Sequence, residues 1–176
     1  MRWRVVSVVM FLVAIGLLAW AYPRLPTPMA TKFTMAGEPL RWSSPGSFVL
    51  TVTVIAALIN LAFLGGIPWL LERIGSTRFN VPNRDYWLST PERRAEALRR
   101  LGPFLARSAV FANGVLLLSL HLVTQWNGLP VTFPIPASWT GPLLLGTVLG
   151  GVLVLLVWAF WDFRIPEPEH SRGRPG

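Results

Sequence analysis

Four apolar runs, each close to the length of a bilayer-crossing helix, decide what this chain can become. They occupy residues 5–22, 47–71, 104–124 and 139–163. A helix rises about 1.5 Å per residue, so about 20 apolar residues cross a hydrocarbon layer of about 30 Å. Charged residues make up 14% of the chain, where a soluble domain carries about a quarter. Lipid, rather than an internal core, must then cover much of the apolar surface. The expected fold is an all-α integral membrane protein with four transmembrane helices paired as two hairpins. It forms a single membrane domain over 1–176.

The first run has a competing reading as a cleaved signal peptide. Arg2 and Arg4 precede it, and Ala19-Trp20-Ala21 matches a small-x-small cleavage pattern. No polar region precedes that cut, and three further runs follow whichever reading holds. In the second run, Gly65-Gly66 and Pro68 predict a kink or an early end. In the fourth, Gly146 and Gly150 form a G-x-x-x-G with Gly151 beside it, a pattern that lets helices approach closely in lipid. The tail, 165–176, is rich in Pro, Gly and Arg and reads as disordered.

Basic residues are unevenly distributed between the loops. If the four runs all span, thirteen arginines fall on one side, and only Arg24, Lys32 and Arg41 fall on the other. The positive-inside rule therefore predicts cytoplasmic termini, a cytoplasmic loop at 72–103 and an outer loop at 23–46, in a multi-pass protein of a bacterial-type inner membrane. The net charge of +8 flanks the apolar runs, so anionic lipid is the nearer partner and nucleic acid is not expected.

Residue chemistry excludes several functions. There is no cysteine, and His121 and His170 are the only histidines, so a cysteine or histidine-rich metal site is not expected. No catalytic constellation, phosphate-cradling glycine loop or H-E-x-x-H motif is present. The expectation is no enzyme and no cofactor.

Polar residues inside the apolar runs are costly and must face other helices. Asn60 and Asn113 both fall near mid-span, which predicts a mutual hydrogen bond. Asn113, Leu117, His121 and Gln125 are spaced by four and form one stripe. The alternative is a polar path for a proton or small solute along spans 2 and 3, as in a small transporter or channel subunit.

Two loops are too dense in special residues to be linkers. In the central loop, the turn at Pro82-Asn83 is followed by Arg84-Asp85-Tyr86-Trp87. Arg84 and Asp85 could brace the loop as an ion pair, with Tyr86 and Trp87 as interfacial anchors, or they could hold a ligand or a cytoplasmic protein partner. Thr90 before Pro91 reads as a helix N-cap followed by proline at the first helical position. The helix it opens, 91–101, should lie amphipathic in the headgroup plane until Gly102-Pro103 breaks it.

The outer loop carries Leu25-Pro26, a short extended piece ending at Phe33, a turn through Gly37 and Pro39, and Trp42. With 82–87, this pattern resembles the membrane family bearing the domain of unknown function 1648, related to the SdpI immunity and signalling proteins. Lys32 and Leu40 depart from it, since a histidine-like and an acidic residue are common there. The resemblance implies a non-enzymatic membrane protein of signalling or immunity type. Its outer loop would sense or sequester a peptide or protein ligand.

Overall fold

The computed structural model describes residues 2–34, 38–74 and 81–166. Within them the chain is mostly helical. Helix α1 (Arg2–Ala21) leads through a single turn at Tyr22–Arg24 into an antiparallel hairpin, β1 (Met29–Phe33) and β2 (Pro39–Ser43). Then follow α2 (Pro45–Leu61), a π-helical turn (Ala62–Gly66), α3 (Ile67–Ile74), the short α4 (Arg84–Leu88), α5 (Pro91–Trp126) and α6 (Ala137–Asp162). Four segments are long and apolar enough to cross a membrane: Arg2–Arg24, Pro45–Leu70, Pro91–Trp126 and Ala137–Asp162.

Local chemistry sets the helix starts. Ser44 caps α2, its hydroxyl accepting from the Ser47 N–H at 3.3 Å, and Pro45 takes the first helical position. Thr90 caps α5 the same way, accepting from the Arg93 N–H at 3.3 Å, with Pro91 next. The kink expected at Gly65-Gly66 takes the form of the π turn.

Three departures from the sequence expectation stand out. The fold is not wholly α: the extended piece at 29–33 finds a partner in 39–43. Such a hairpin has open strand edges, which hydrocarbon does not tolerate, so it belongs outside the apolar spans. Second, Gly102-Pro103 does not break the helix, and α5 runs 36 residues through it. An interior proline costs about 3 kcal/mol. Buried Ala97, Leu105 and Ala106 on either side of it hold the helix through that point.

Third, the helices of the two expected pairs also pack across them. The most extensive helix–helix contact is α1 on α5, followed by α5 on α6, with α4 on α5 and α1 on α2 next. Ala14 and Leu18 of α1, Val52 of α2 and Leu120 of α5 form a common core. Helix α6 is peripheral, with Leu145, Leu149, Leu153 and Val157 all exposed. It meets α5 at Gly151, where an added Cβ would collide with the Phe111 ring. A Cβ at Gly146 or Gly150, by contrast, would meet open space.

Candidate functional site

The hairpin is fastened to the end of α5 by one side chain. The Asn127 amide donates to the Ala30 carbonyl at 2.8 Å and accepts from the Ala30 N–H at 2.8 Å. It thus mimics a neighbouring strand on the free edge of β1. The same Nδ2 also donates to the Val123 carbonyl at 2.8 Å, which ties the clamp to the last turn of α5. Phe33 lies against Trp126, with ring centroids 4.3 Å apart. Met29 and Leu25 are buried with Ala21 and Leu129 beneath the hairpin.

Strand β2 faces outward. Leu40 is 58% and Trp42 56% exposed. Lys32 stands opposite Arg41 across the strands, and like charges in that position repel. Pro39 opens β2 opposite Phe33, and Trp42 sits opposite Ala30. Of the outer-loop residues singled out from sequence, Gly37 lies outside the described residues. Phe33 faces the protein, and Trp42 faces away from it.

The other end of α5 holds the central loop against the end of α6. Asn83 adopts the left-handed conformation (φ 57°, ψ 39°), which asparagine tolerates better than most residues. Its amide donates to the Phe163 carbonyl at 3.0 Å. The Trp87 indole N–H donates to the same carbonyl at 2.8 Å. Arg100 donates to the Asp162 carbonyl at 2.7 Å, and Arg107 forms an ion pair with the Asp162 carboxylate. The last carbonyls of a helix lack internal donors and carry partial negative charge. Here an indole, an amide and two guanidinium groups, the latter cationic, converge on that terminus.

Edge-on aromatics close this end. Trp87 is buried and meets Phe163 edge-on at 6.2 Å, with Arg100 4.7 Å above its ring. Tyr86 packs edge-on against Trp87, and Arg93 sits 4.2 Å above Tyr86. Val81, Trp87, Ala97 and Phe163 share one buried cluster. Pro82 begins the turn, and Arg84 and Asp85 are exposed on the first turn of α4. Asn83 and Trp87 brace the loop through one shared acceptor, the backbone carbonyl of Phe163 just past α6.

Midway between these ends, α1, α2 and α5 share a polar triad. The Ser7 hydroxyl donates to Asn60 Oδ1 at 2.9 Å. Asn60 Nδ2 donates to Asn113 Oδ1 at 3.2 Å and to the Ala56 carbonyl at 2.9 Å. Asn113 Nδ2 lies 3.0 Å from Ser7 Oγ and 3.2 Å from Asn60 Oδ1. Ser7 and Asn113 are fully buried. The stripe continuing from Asn113 divides. His121 Nε2 lies 2.9 Å from the Phe133 carbonyl, and Gln125 binds both the N–H and the C=O of Ile135. These two hold the loop between α5 and α6. His121 also edges an apolar cavity of about 370 Å³ between α1, α5 and 130–132.

Sequence reasoning missed Ser7 and Asn127. Ser7 is a lone hydroxyl among valines, and only the third residue of its apolar run, so its depth does not match it to the mid-span Asn60. Asn127 stands just past the third apolar run and before Gly128, the position of a helix C-cap.

Fold and site together define a helical protein with four segments suited to crossing a membrane, braced at one end by aromatic and arginine side chains and carrying a strand hairpin at the other. A family model described as a domain of unknown function (DUF1648) matches residues 9–57, which takes in most of α1, the whole hairpin and most of α2. No curated protein and no solved structure matches the chain significantly.

Proposed function

We propose that the protein is a non-enzymatic, multi-pass component of a bacterial-type inner membrane, of the signalling or immunity kind. In this reading its hairpin receives a peptide or protein ligand. The arginine bias puts the hairpin outside and both termini with the 72–103 region in the cytoplasm. The observation that carries the reading is the Asn127 clamp. It joins the ligand-facing hairpin to α5, whose other end grips the central loop and α6. A load on β2 therefore reaches the opposite face through one continuous helix, where a cytoplasmic partner would read it.

The exposed face of the hairpin indicates the ligand's chemistry. Leu40 and Trp42 offer apolar surface, and the unfavourable Lys32–Arg41 juxtaposition is relieved by an acidic group. An extended, partly apolar peptide with acidic residues fits both. Nothing in the placement of Asn60, Asn113 and His121 favours the transport alternative, because each is engaged by an internal partner.

The test uses a strain lacking the gene and whatever growth or expression difference that loss produces. Wild type and an Asn60→Leu/Asn113→Leu double variant should restore the parental state. Trp42→Ala at equal abundance should not. Restoration by Trp42→Ala and failure of the double variant would replace this reading with transport. Reporter fusions at residue 90 that read as external would overturn the orientation.

A further inference from the structure

We propose that the cleft between α1, α3 and α5, at the arginine-rich end, is a specific site for the phosphodiester headgroup of an anionic membrane lipid. The cleft has a volume of about 460 Å³ and is walled by Trp3, Arg4, Pro68, Leu98, Arg99 and Leu101. That volume lies in the range of about 300–1,000 Å³ typical of small-molecule sites. Three helices contribute to it, so it is a built concavity and not a stretch of charged surface.

Its chemistry is divided as a phospholipid's is. Arg4 and Arg99 supply guanidinium groups at the rim, while Trp3, Pro68, Leu98 and Leu101 supply apolar walls. Arg4 has no hydrogen bond or ion pair among the described residues, and its Nη2 lies 3.9 Å from where a Cβ on Gly102 would stand. Among the described residues Arg99 is paired with half-buried Glu96, a carboxylate it shares with Arg100. Two guanidinium groups facing one carboxylate, plus a third with no acid paired to it among the described residues, leave net positive charge there. Planar guanidinium groups bind phosphate oxygens in bidentate fashion.

Pro103 adds a feature that favours a headgroup over a bare ion. Proline has no N–H, so the helical partner of the carbonyl one turn earlier, on Arg99, is missing. Arg99, Gly102 and Pro103 all line the cleft. A glycerol hydroxyl attached to the phosphate can donate to that carbonyl, which inorganic phosphate held by the two arginines would not reach equally well. The acyl chains then run along the exposed apolar face of α1, where Val5, Val8 and Leu12 lie open.

The proposal is tested on the full chain in detergent by native mass spectrometry, with phosphatidylglycerol as the probe. Wild type should retain one phosphatidylglycerol in preference to phosphatidylcholine. The Arg4→Gln/Arg99→Gln variant should hold it about thirtyfold more weakly. Arg2→Gln/Arg164→Gln removes the same charge without touching the cleft and should change retention less than about twofold. Equal loss in both variants would reduce the effect to general surface charge and overturn the site. Displacement of the lipid by millimolar inorganic phosphate would assign the cleft to free phosphate instead. If the cleft variant proves unstable, Leu98→Trp, which fills the cleft with every charge retained, must also lower retention. Unchanged binding there would equally sink the proposal.

Discussion

The two ends of α5 solve the same problem with different chemistry. At Asn127 a neutral amide completes the edge of β1 with two hydrogen bonds, and the strand beyond it stays exposed. At the opposite end Trp87, Asn83, Arg100 and Arg107 converge on the last residues of α6, and Trp87 and Phe163 are both buried. Neutral amide bonds beside an open strand edge can break and re-form at modest cost. Charge-assisted bonds in a desolvated aromatic cluster hold one geometry. In the proposed reading, the first end is the one a ligand moves, and the second carries that movement as a rigid body.

The largest effect should come from the rigid end. Trp87→Ala removes a buried ring and the indole donor to Phe163, and should destabilise the fold by about 3–5 kcal/mol. Thermal unfolding in detergent measures this, and Trp87→Phe, which keeps most of the ring and removes the N–H, should recover part of it. If Trp87→Ala proved neutral, the aromatic cluster would not be what fixes the end of α6, and the contrast between the ends would collapse.

Next comes the clamp. Asn127→Ala leaves the Ala30 N–H and C=O without their partner and should cost about 1–3 kcal/mol. The loss should be local: hydrogen exchange at Ala30 should accelerate while the Trp87 cluster stays protected. Uniform acceleration across both ends would show that they are not separate units.

The triad between the ends should respond less. Asn113→Leu removes its bonds to Ser7 and Asn60 but leaves the Ser7–Asn60 and Asn60–Ala56 bonds, and hydrogen bonds between helices in lipid average about 0.6 kcal/mol and reach about 1.7. A midpoint shift in detergent corresponding to more than about twice that upper value would mean the triad organises the bundle rather than completing it. The smallest stability effect belongs to Trp42→Ala, within about 0.5 kcal/mol, because the ring is exposed. Any consequence of that change should appear in ligand response and not in unfolding.

How much could be read in advance follows the same division. The four apolar spans were legible because burial in lipid needs a continuous run, and the Thr90-Pro91 start was legible because capping is local. The Asn60–Asn113 bond was legible because a lone amide in an apolar run has few alternatives. Asn83 and Trp87 were visible as unusual residues, but their acceptor is the backbone of Phe163, which any residue there would present. Pro103 misled for a related reason: its local penalty is certain, while the tertiary packing that outweighs it is not encoded in neighbouring residues. The hairpin was half visible, since 30–33 reads as extended but its partner strand begins with proline.

The π-helical turn at Ala62–Gly66 has a consequence for how this chain can change length. A π turn holds one residue more than the α-helical count. Deleting Gly65 would let α2 and α3 run as one regular helix, turning the segment Ile67–Ile74 by about 100° relative to α2. Trp69 and Leu70, now exposed, would swing to a different quadrant, and Pro68 would leave the cleft wall. A single-codon deletion here would therefore act as a rotation rather than a truncation, and the turn keeps the register of one span adjustable without rebuilding its core.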